Sequence, residues 1–395
     1  MPLHARPTIA RSPTDGPMKT TGRLLLCAAL SAGLPLAAQA DNVALNEAAA
    51  FAGAAIWLNA GQPAMVIAVV KDGDVYIEGY GETRPGSGVE PDGDSIVRIG
   101  SLSKVLAGDV LAAMTADRKV ALTSPLADFA PAGITVPAME GRAINLLDLA
   151  THSAGLPREA PDPTLKPGDN PFAVYSASGY WNWFKTHQPA YRPGTVAMYS
   201  NFGFGLLGEA LAKAGNAPYD EILHRYVTGP LGMADTVGRL SPQQQQRMLE
   251  GTNLDGTPAQ RLETPQILDA GGGLHSTARD MARWMQWHLS DAADGAEART
   301  LAHALYRPND GLKSAVGIES SSADGMGLGW VVSLPHDRQP FVLGKSGGLA
   351  GFMSYVALSP QRGIGVFVSV GKMDFAMFEG MQHGVLNLIT SLSPR

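Results

Sequence analysis

β-type runs lie near both ends of this chain, and mostly helical segments lie between them. Residues 64–81 form two runs around Asp72-Gly73, a favoured dipeptide for a two-residue hairpin turn. Near the C-terminus, β-type runs separated by turn residues occupy 341–345, 351–358 and 363–370, and an amphipathic helix over 374–392 follows. Because these distant strands must pair to bury their apolar faces, we expect an α/β (α+β) fold. Its antiparallel sheet would be built from both termini, flanked by helices and interrupted by a mostly helical insertion.

The length of 395 residues suits one large catalytic domain or two smaller ones, and we favour one. We assign that domain to residues 41–395. Its sheet part would come from about 41–100 and 325–395, and its helical part from about 101–324. Hydrophobic residues make up 45% of the chain and charged residues 17%, which is typical of a globular protein with a sizeable core.

The N-terminal residues 1–40 read as an extension followed by an export signal. Basic residues after Met18, which we take as the start, precede an apolar run over 24–36, and Ala-Gln-Ala at 38–40 matches a cleavage site. The run is too short for a confident membrane span, and a buried core helix is the alternative. The pattern predicts cleavage after Ala40.

Composition argues against several classes of function. The formal net charge is −6 and no lysine- or arginine-rich block is present, so a nucleic-acid-binding protein is disfavoured. The nine histidines form no His-Glu-x-x-His motif, and the single cysteine cannot build a Cys/His zinc site. We therefore predict no metal site and no cofactor.

A serine and a lysine at helical spacing are the leading catalytic candidates. Residues 98–114 have helical periodicity, and Ser101 and Lys104, three apart, share a face of the first turn. A hydroxyl beside an amine is a candidate nucleophile and base, whereas helix capping is the structural alternative. The same spacing recurs at Ser369 and Lys372, where a strand and a glycine replace the helix.

A lysine base has to be neutral, and neutrality at pH 7 costs about 4.6 kcal/mol from a pKa near 10.4. Burial or a second cation lowers that cost. Lys345-Ser346-Gly347, followed by Gly348, ends an apolar strand and could place a cation near Lys104. A glycine-rich turn with a solvated lysine is the alternative.

Tyr199-Ser200-Asn201 is the third element. Tyrosine can relay a proton and asparagine can hold a substrate amide, while a helix cap is the alternative reading. The nearby glycines 203, 205 and 208 match a dinucleotide fingerprint, but a helical segment, and not a second strand, follows them.

The ordered triple Ser-x-x-Lys, Tyr-Ser-Asn and Lys-Ser-Gly resembles the serine penicillin-recognising enzymes, which include class C β-lactamases and DD-peptidases. Further segments are similar to the D-alanyl-D-alanine carboxypeptidase/endopeptidases of the AmpH type. They lie at 80–86, 97–104, 149–159, 271–277 and 327–330. The likeness extends from about residue 50 to the C-terminus and implies a β-lactamase/transpeptidase-like fold.

The resemblance implies a chemical role for four residues. Ser101 would attack the substrate carbonyl and form an acyl-enzyme, Lys104 would accept the proton, and Tyr199 would share proton relay to the leaving amine. The backbone N–H groups of Ser101 and Gly348 would form the oxyanion hole, worth roughly 3 kcal/mol per donor.

The resemblance also implies substrate-binding residues. Asn201 would orient the substrate amide, and Lys345, Ser346, Gly347 and Gly348 would hold the terminal carboxylate and the peptide backbone. The family usually has threonine where this chain has Ser346, so the hydroxyl is kept and a methyl group is lost. We expect altered affinity and an intact site.

Together these features predict a periplasmic serine DD-carboxypeptidase/endopeptidase that acts on peptidoglycan peptides and is acylated by β-lactams. The alternatives are a class C-like β-lactamase, a related esterase and a non-catalytic module that senses wall peptides or β-lactams. Peripheral membrane contact through the terminal helix is less favoured than its packing on the sheet, and nothing in the sequence indicates an oligomeric state.

Overall fold

The computed structural model describes residues 36–160, 170–318 and 323–393. Met18 and most of the predicted export signal lie outside these residues, while the predicted cleavage site at 38–40 belongs to the first helix. Residues Asp41–Arg395 form one compact unit.

Helices occupy much of the described chain and include the predicted helices near 203–214, 280–289 and 374–392. They are α1 (Leu36–Asn59), α2 (Ser103–Ala116), α3 (Leu146–Ala150), α4 (Ala177–Trp183), α5 (Asn201–Gly215), α6 (Tyr219–Leu223), α7 (Pro242–Arg247), α8 (Ala278–Leu289), α9 (Ala296–His303) and α10 (Phe375–Ser391). Side-chain caps begin several of them: Thr277 accepts from the N–H of Asp280 in α8, and Asp374 accepts from the first turn of α10.

The strands are concentrated at the two ends of the chain, as predicted. They are β1 (Met65–Lys71), β2 (Asp74–Tyr80), β3 (Ile96–Arg98), β4 (Ala197–Met198), β5 (His275–Thr277), β6 (Arg307–Pro308), β7 (Ala315–Val316), β8 (Gly325–Met326), β9 (Val331–Ser333), β10 (Val342–Leu349), β11 (Phe352–Ser359) and β12 (Ile364–Val370). Lys71 pairs with Asp74 across the hairpin, so Asp72-Gly73 is the predicted two-residue turn.

One eight-stranded antiparallel sheet joins the two ends in the order β2-β1-β12-β11-β10-β9-β8-β6. Its pairing of β1 with β12 brings residues separated by most of the chain side by side. The predicted fold class, an antiparallel sheet from both termini with a mostly helical insertion, is therefore confirmed.

Strand β1 is buried on both faces of the sheet, which explains why it has no polar alternation. Successive side chains of a strand point to opposite faces. One set enters the core under α1 and α10: Met65, Ile67 and Val69. The other set enters the larger core that also contains α2, α5 and α8: Val66, Ala68 and Val70. The terminal helix α10 packs on β11 and β12, as favoured over membrane contact.

Candidate active site

Ser101 lies in a tight turn between the small β3–β5 ladder and α2. The 3₁₀ turn Gly100–Leu102 leads directly into α2, and Leu102 is fully buried while Ser101 is partly exposed. The turn packs against β10 so closely that a Cβ on Gly100 would lie 2.8 Å from the backbone nitrogen of Gly348. Gly100 also has φ +52, so glycine suits this position on both counts.

Lys104 lies in the first turn of α2 and has no exposed surface. Its Nζ lies 3.3 Å from Ser101 Oγ and donates to Asn201 Oδ1 at 2.6 Å. It also donates to the backbone carbonyl of Gly271. The predicted closeness of the two reactive atoms is therefore found, but Ser101 belongs to the 3₁₀ turn before α2 and not to the first turn of the α-helix, which begins at Ser103.

Burial is the main reason that the pKa of Lys104 lies below its ordinary value, because an ammonium loses its hydration there. The positive charge of Lys345 lowers this pKa further, while Tyr199 and Glu159 act in the opposite direction. The hypothesis that Lys345 is the cause of a neutral Lys104 is thus only partly right: Lys345 contributes, but desolvation is larger.

Tyr199 and Asn201 reach the site from the junction of β4 and α5. Ser200 caps α5, because its Oγ accepts from the N–H of Gly203 at 2.8 Å. This cap places Asn201 in the first turn of the helix, facing Lys104. The phenol of Tyr199 donates to Ser101 Oγ at 2.5 Å. Ser101 Oγ therefore lies within hydrogen-bonding reach of both an amine and a phenol.

Three basic side chains surround the ring of Tyr199. Lys104 Nζ lies 4.8 Å from the ring centroid, Lys345 Nζ 5.5 Å and the guanidinium carbon of Arg158 4.7 Å. Such contacts fix the ring in place through cation–π attraction. They also bring Lys345, which is far away in the sequence, to the same side of the site as Lys104.

Lys345, Ser346, Gly347 and Gly348 lie within β10, which continues to Leu349. The prediction that the strand ends at Lys345 is wrong, because β10 keeps pairing with β11 as far as Leu349. On its other side, β10 pairs with β9 at Val342–Gly344, and beyond Gly344 the same edge of the strand continues past this ladder. This edge faces the Ser101 turn.

Gly347 is the closest point between β10 and that turn. A Cβ on Gly347 would lie 2.0 Å from the carbonyl oxygen of Ile99 and 2.9 Å from the backbone nitrogen of Ser101. Ser101, Asn201 and Gly348 line one common cleft. The structure therefore brings all the predicted site residues into one region, although their catalytic and binding roles remain predictions.

Sequence reasoning missed three groups at this site. Glu159 accepts from Asn201 Nδ2 and lines the cleft. The Gly271 carbonyl holds Lys104, and the ring of His152 stacks on Tyr199 with centroids 4.5 Å apart. All three lie in the segments 149–159 and 271–277, whose family resemblance was the available signal.

The alternative sequence patterns take other structures. Ser369 is buried in β12 and its Oγ bonds to Ser354, while Lys372 forms an ion pair with Asp374 at 3.2 Å. The glycine-rich segment 203–208 lies inside α5 and not between a strand and a helix. Neither pattern therefore has the geometry that its chemistry requires.

The described ranges also bear on metals and membranes. Within 36–160, 170–318 and 323–393, no group of three or more His, Cys, Asp or Glu side chains is arranged to hold a metal ion. Among the same residues, no helix has both the length and the apolar character needed to cross a membrane.

A hydroxyl held between a buried amine and a phenol, at the edge of this sheet, defines a serine hydrolase. Comparison with known proteins supports this class of enzyme. The chain belongs to the β-lactamase family, whose model matches residues 46–385. The non-catalytic sensing module is therefore not supported.

Individual relatives align with this protein over most of its length. A D-alanyl-D-alanine-carboxypeptidase/endopeptidase AmpH from Escherichia coli (strain K12) is 35% identical over 86% of this chain and 87% of its own length. A crystal structure of a β-lactamase/D-alanine carboxypeptidase from Yersinia pestis, complexed with citrate, is 33% identical. It superposes with a TM-score of 0.82 over 89% of this chain and 99% of that one. A protein with the same description from Pseudomonas syringae has a TM-score of 0.73 at 20% identity, over 87% of this chain and 99% of that one, and supports the fold alone.

Proposed function

We propose that the chain is an exported serine D-alanyl-D-alanine carboxypeptidase/endopeptidase of peptidoglycan that works through an acyl group on Ser101. The observation that carries the proposal is the position of Ser101 Oγ, 3.3 Å from Lys104 Nζ and 2.5 Å from the hydroxyl oxygen of Tyr199. The names of the Escherichia coli and Yersinia pestis relatives support this substrate class.

Acylation begins with proton transfer from the Ser101 hydroxyl to neutral Lys104. Ser101 Oγ attacks the carbonyl carbon of the scissile peptide bond, and the negative charge that develops on the carbonyl oxygen is stabilised by the N–H groups of Ser101 and Gly348. Tyr199, which lies beside Ser101 Oγ, gives its phenol proton to the leaving amine as the C–N bond breaks, and it regains a proton from Lys104, which thereby becomes neutral again. Water then hydrolyses the ester and frees the serine.

Substrate binding uses the part of β10 that lies beyond its pairing with β9. Lys345 and Ser346 bind the terminal carboxylate, while Gly347 and Gly348 let a peptide backbone lie against the strand. Asn201 orients the substrate amide. With serine in place of the usual threonine, Ser346 keeps the hydroxyl that the carboxylate needs and offers less apolar contact.

A second candidate is β-lactamase activity, since the Yersinia pestis protein carries both descriptions. Both activities use the same acylation, and they differ in how fast water removes the acyl group. Rapid turnover of a chromogenic cephalosporin indicates a β-lactamase, whereas slow, stoichiometric acylation indicates a penicillin-binding peptidase. Cleavage of p-nitrophenyl esters without penicillin labelling indicates the esterase.

Export to the periplasm rests on the sequence of residues 1–40. N-terminal sequencing of the protein from a periplasmic extract tests it, and we expect the mature chain to begin at Asp41. A chain that stays in the cytoplasm with its apolar run intact would contradict this part of the proposal alone.

Intact-mass analysis tests the catalytic proposal directly. The mature protein is exposed to benzylpenicillin and to a peptide ending in D-Ala-D-Ala, and any adduct is mapped. We expect release of D-alanine and a penicilloyl adduct on Ser101, both absent from Ser101→Ala. A folded protein that releases no D-alanine and takes no adduct would overturn the proposal.

A further inference from the structure

Four polar side chains form a continuous series of contacts from the cleft wall to the nucleophile. Glu159 Oε1 accepts from Asn201 Nδ2, and Asn201 Oδ1 accepts from Lys104 Nζ at 2.6 Å. Lys104 Nζ lies 3.3 Å from Ser101 Oγ. Glu159 is the outermost member of this series, half-buried where the cleft begins.

The hydrogen-bonding capacity of a neutral amine explains how this series of hydrogen bonds affects catalysis. A neutral lysine carries two N–H hydrogens and one lone pair. The Gly271 carbonyl and Asn201 Oδ1 are two acceptors for Lys104, and they take both hydrogens. Tyr199 is a further hydrogen-bond partner of Lys104, but its phenol hydrogen is donated to Ser101 Oγ. The lone pair of Lys104 is then left for the hydroxyl hydrogen of Ser101, which is the arrangement a base requires.

That arrangement depends on which end of the Asn201 amide faces Lys104. A carboxamide can rotate by half a turn and exchange its oxygen and its NH₂ group. In the rotated form, NH₂ would donate to the lone pair of Lys104 and compete with Ser101. The carboxylate of Glu159 accepts only, so it bonds the NH₂ group and disfavours the rotation.

We propose that Glu159 is a positioning residue that locks the Asn201 amide with its oxygen on Lys104, and thereby directs the lone pair of Lys104 at Ser101. The inference rests on the proposed function only in taking Lys104 as the base. It assigns a role to a residue that does not itself touch the reacting atoms.

The charge of Glu159 has a second, separable effect. The charged and titratable groups that act on Lys104 and its neighbours are Tyr199, Lys345, Glu159, His152 and Arg158. Among them Glu159 raises the pKa of Lys104 and Lys345 lowers it. Because only neutral Lys104 accepts the proton, removing the charge of Glu159 moves the rise of acylation rate to lower pH.

Two substitutions separate the lock from the charge. Glu159→Gln removes the charge but keeps an oxygen that accepts from Asn201. Glu159→Met has similar length and removes both. Acylation of Ser101 is followed by mass, with benzylpenicillin and with p-nitrophenyl acetate, between about pH 5 and pH 10. In parallel, ¹³C NMR of labelled lysine follows the titration of Lys104 without any substrate.

We expect Glu159→Met to lower the high-pH acylation rate by roughly tenfold or more, the loss that removal of a hydrogen bond to a charged group produces. Glu159→Gln should restore only part of that loss, because its oxygen can accept from Asn201 but its own amide can also rotate and donate instead. In both variants the titration of Lys104 and the rise of the rate should move to lower pH. Thermal unfolding shows that the variants are folded.

Equal high-pH rates for Glu159→Met and the native protein would overturn the inference, whether or not the titration of Lys104 moves. If penicillin leaves the native protein unlabelled while the ester reacts, the proposed function fails and the ester rates still decide the role of Glu159. If neither reagent acylates Ser101, the premise that Lys104 is its base is wrong, and the inference is overturned together with the proposed function.

Discussion

The imidazole of His152 stacks on the phenol ring of Tyr199, with ring centroids 4.5 Å apart and an interplanar angle of 28°. His152 Nδ1 also accepts from the backbone N–H of Ser200 at 3.0 Å. Burial, reinforced by the charges of Lys104, Lys345 and Arg158, holds the pKa of His152 well below its usual range. His152 is therefore neutral, and one ring supports both the phenol and the start of α5.

Replacing His152 with phenylalanine should weaken both functions of this ring. The buried N–H of Ser200 loses its acceptor, which costs about 1–3 kcal/mol. The backbone at His152 has φ +57, where phenylalanine is strained and asparagine is tolerated. We expect a lower free energy of unfolding in urea and slower acylation for His152→Phe, with a smaller loss for His152→Asn. Native stability in His152→Phe would contradict the role of this hydrogen bond.

Removal of the Lys345 charge should move the pH dependence of acylation in a defined direction. Lys345 lowers the pKa of Lys104, so Lys345→Met raises it, and the rate should rise only at higher pH than in the native protein. An uncharged ester such as p-nitrophenyl acetate is the proper substrate, because it has no carboxylate for Lys345 to bind.

Lys372→Met is the matched control for that measurement. Lys372 pairs with Asp374 and lines a different cleft, with Trp57 and Glu250. We expect its pH profile to coincide with that of the native protein. A shift to lower pH in Lys345→Met would contradict the electrostatic role of Lys345.

Gly347→Ala should damage the contact between β10 and the Ser101 turn. The added methyl group would meet the Ile99 carbonyl oxygen at 2.0 Å, a distance that only backbone movement relieves. We expect both the melting temperature and the acylation rate to fall. Gly380→Ala in α10 is the control: its methyl group has open space, and the change should stabilise the protein by about 0.5–1 kcal/mol.

The two Ser-x-x-Lys patterns should differ completely in their response to substitution. Ser101→Ala removes the nucleophile and should abolish penicillin labelling. Ser369→Ala removes only a hydrogen bond to Ser354 Oγ at 2.9 Å in the sheet, which contributes about 1 kcal/mol. Labelling of Ser369→Ala should equal that of the native protein. A label that survives in Ser101→Ala would place the reactive serine elsewhere.

Local sequence patterns were sufficient to predict features that depend on neighbouring residues alone. The Asp72-Gly73 turn follows from backbone preference, and the closeness of Ser101 and Lys104 follows from helical spacing. The end of β10 could not be predicted in this way, because Lys345 and the glycines after it have weak strand preference and are held by pairing with β11.

The contacts of Lys104 show the same limit. Every residue has a backbone carbonyl, so the sequence around Gly271 does not show that this carbonyl accepts a hydrogen bond from Lys104. Glu159 can be recognised as a site residue only in the folded protein, where α5 places Asn201 beside it. The resemblance to a family located the segments, whereas the hydrogen bonds within them depend on tertiary structure.

Two buried groups near the site should change the stability of the protein in opposite directions as the pH falls. Burial lowers the pKa of His275 to about 4, so between about pH 6.5 and pH 4 the unfolded chain binds a proton that the folded protein does not. His275 therefore removes stability as the pH falls through this window. Burial raises the pKa of Asp269 to about 7, so the folded protein binds a proton first and gains stability as the pH falls toward pH 4.

The variants His275→Gln and Asp269→Asn should separate these contributions. Relative to the native protein, His275→Gln should gain stability on acidification, by at most about 1.4 kcal/mol per pH unit between about pH 6.5 and pH 4. Asp269→Asn should lose stability over an overlapping window, because it cannot take up the proton that the native carboxylate binds. Urea unfolding at a series of pH values measures both differences. Two differences of the same sign would contradict the assignment, because a lowered and a raised pKa in the folded state link to pH in opposite directions.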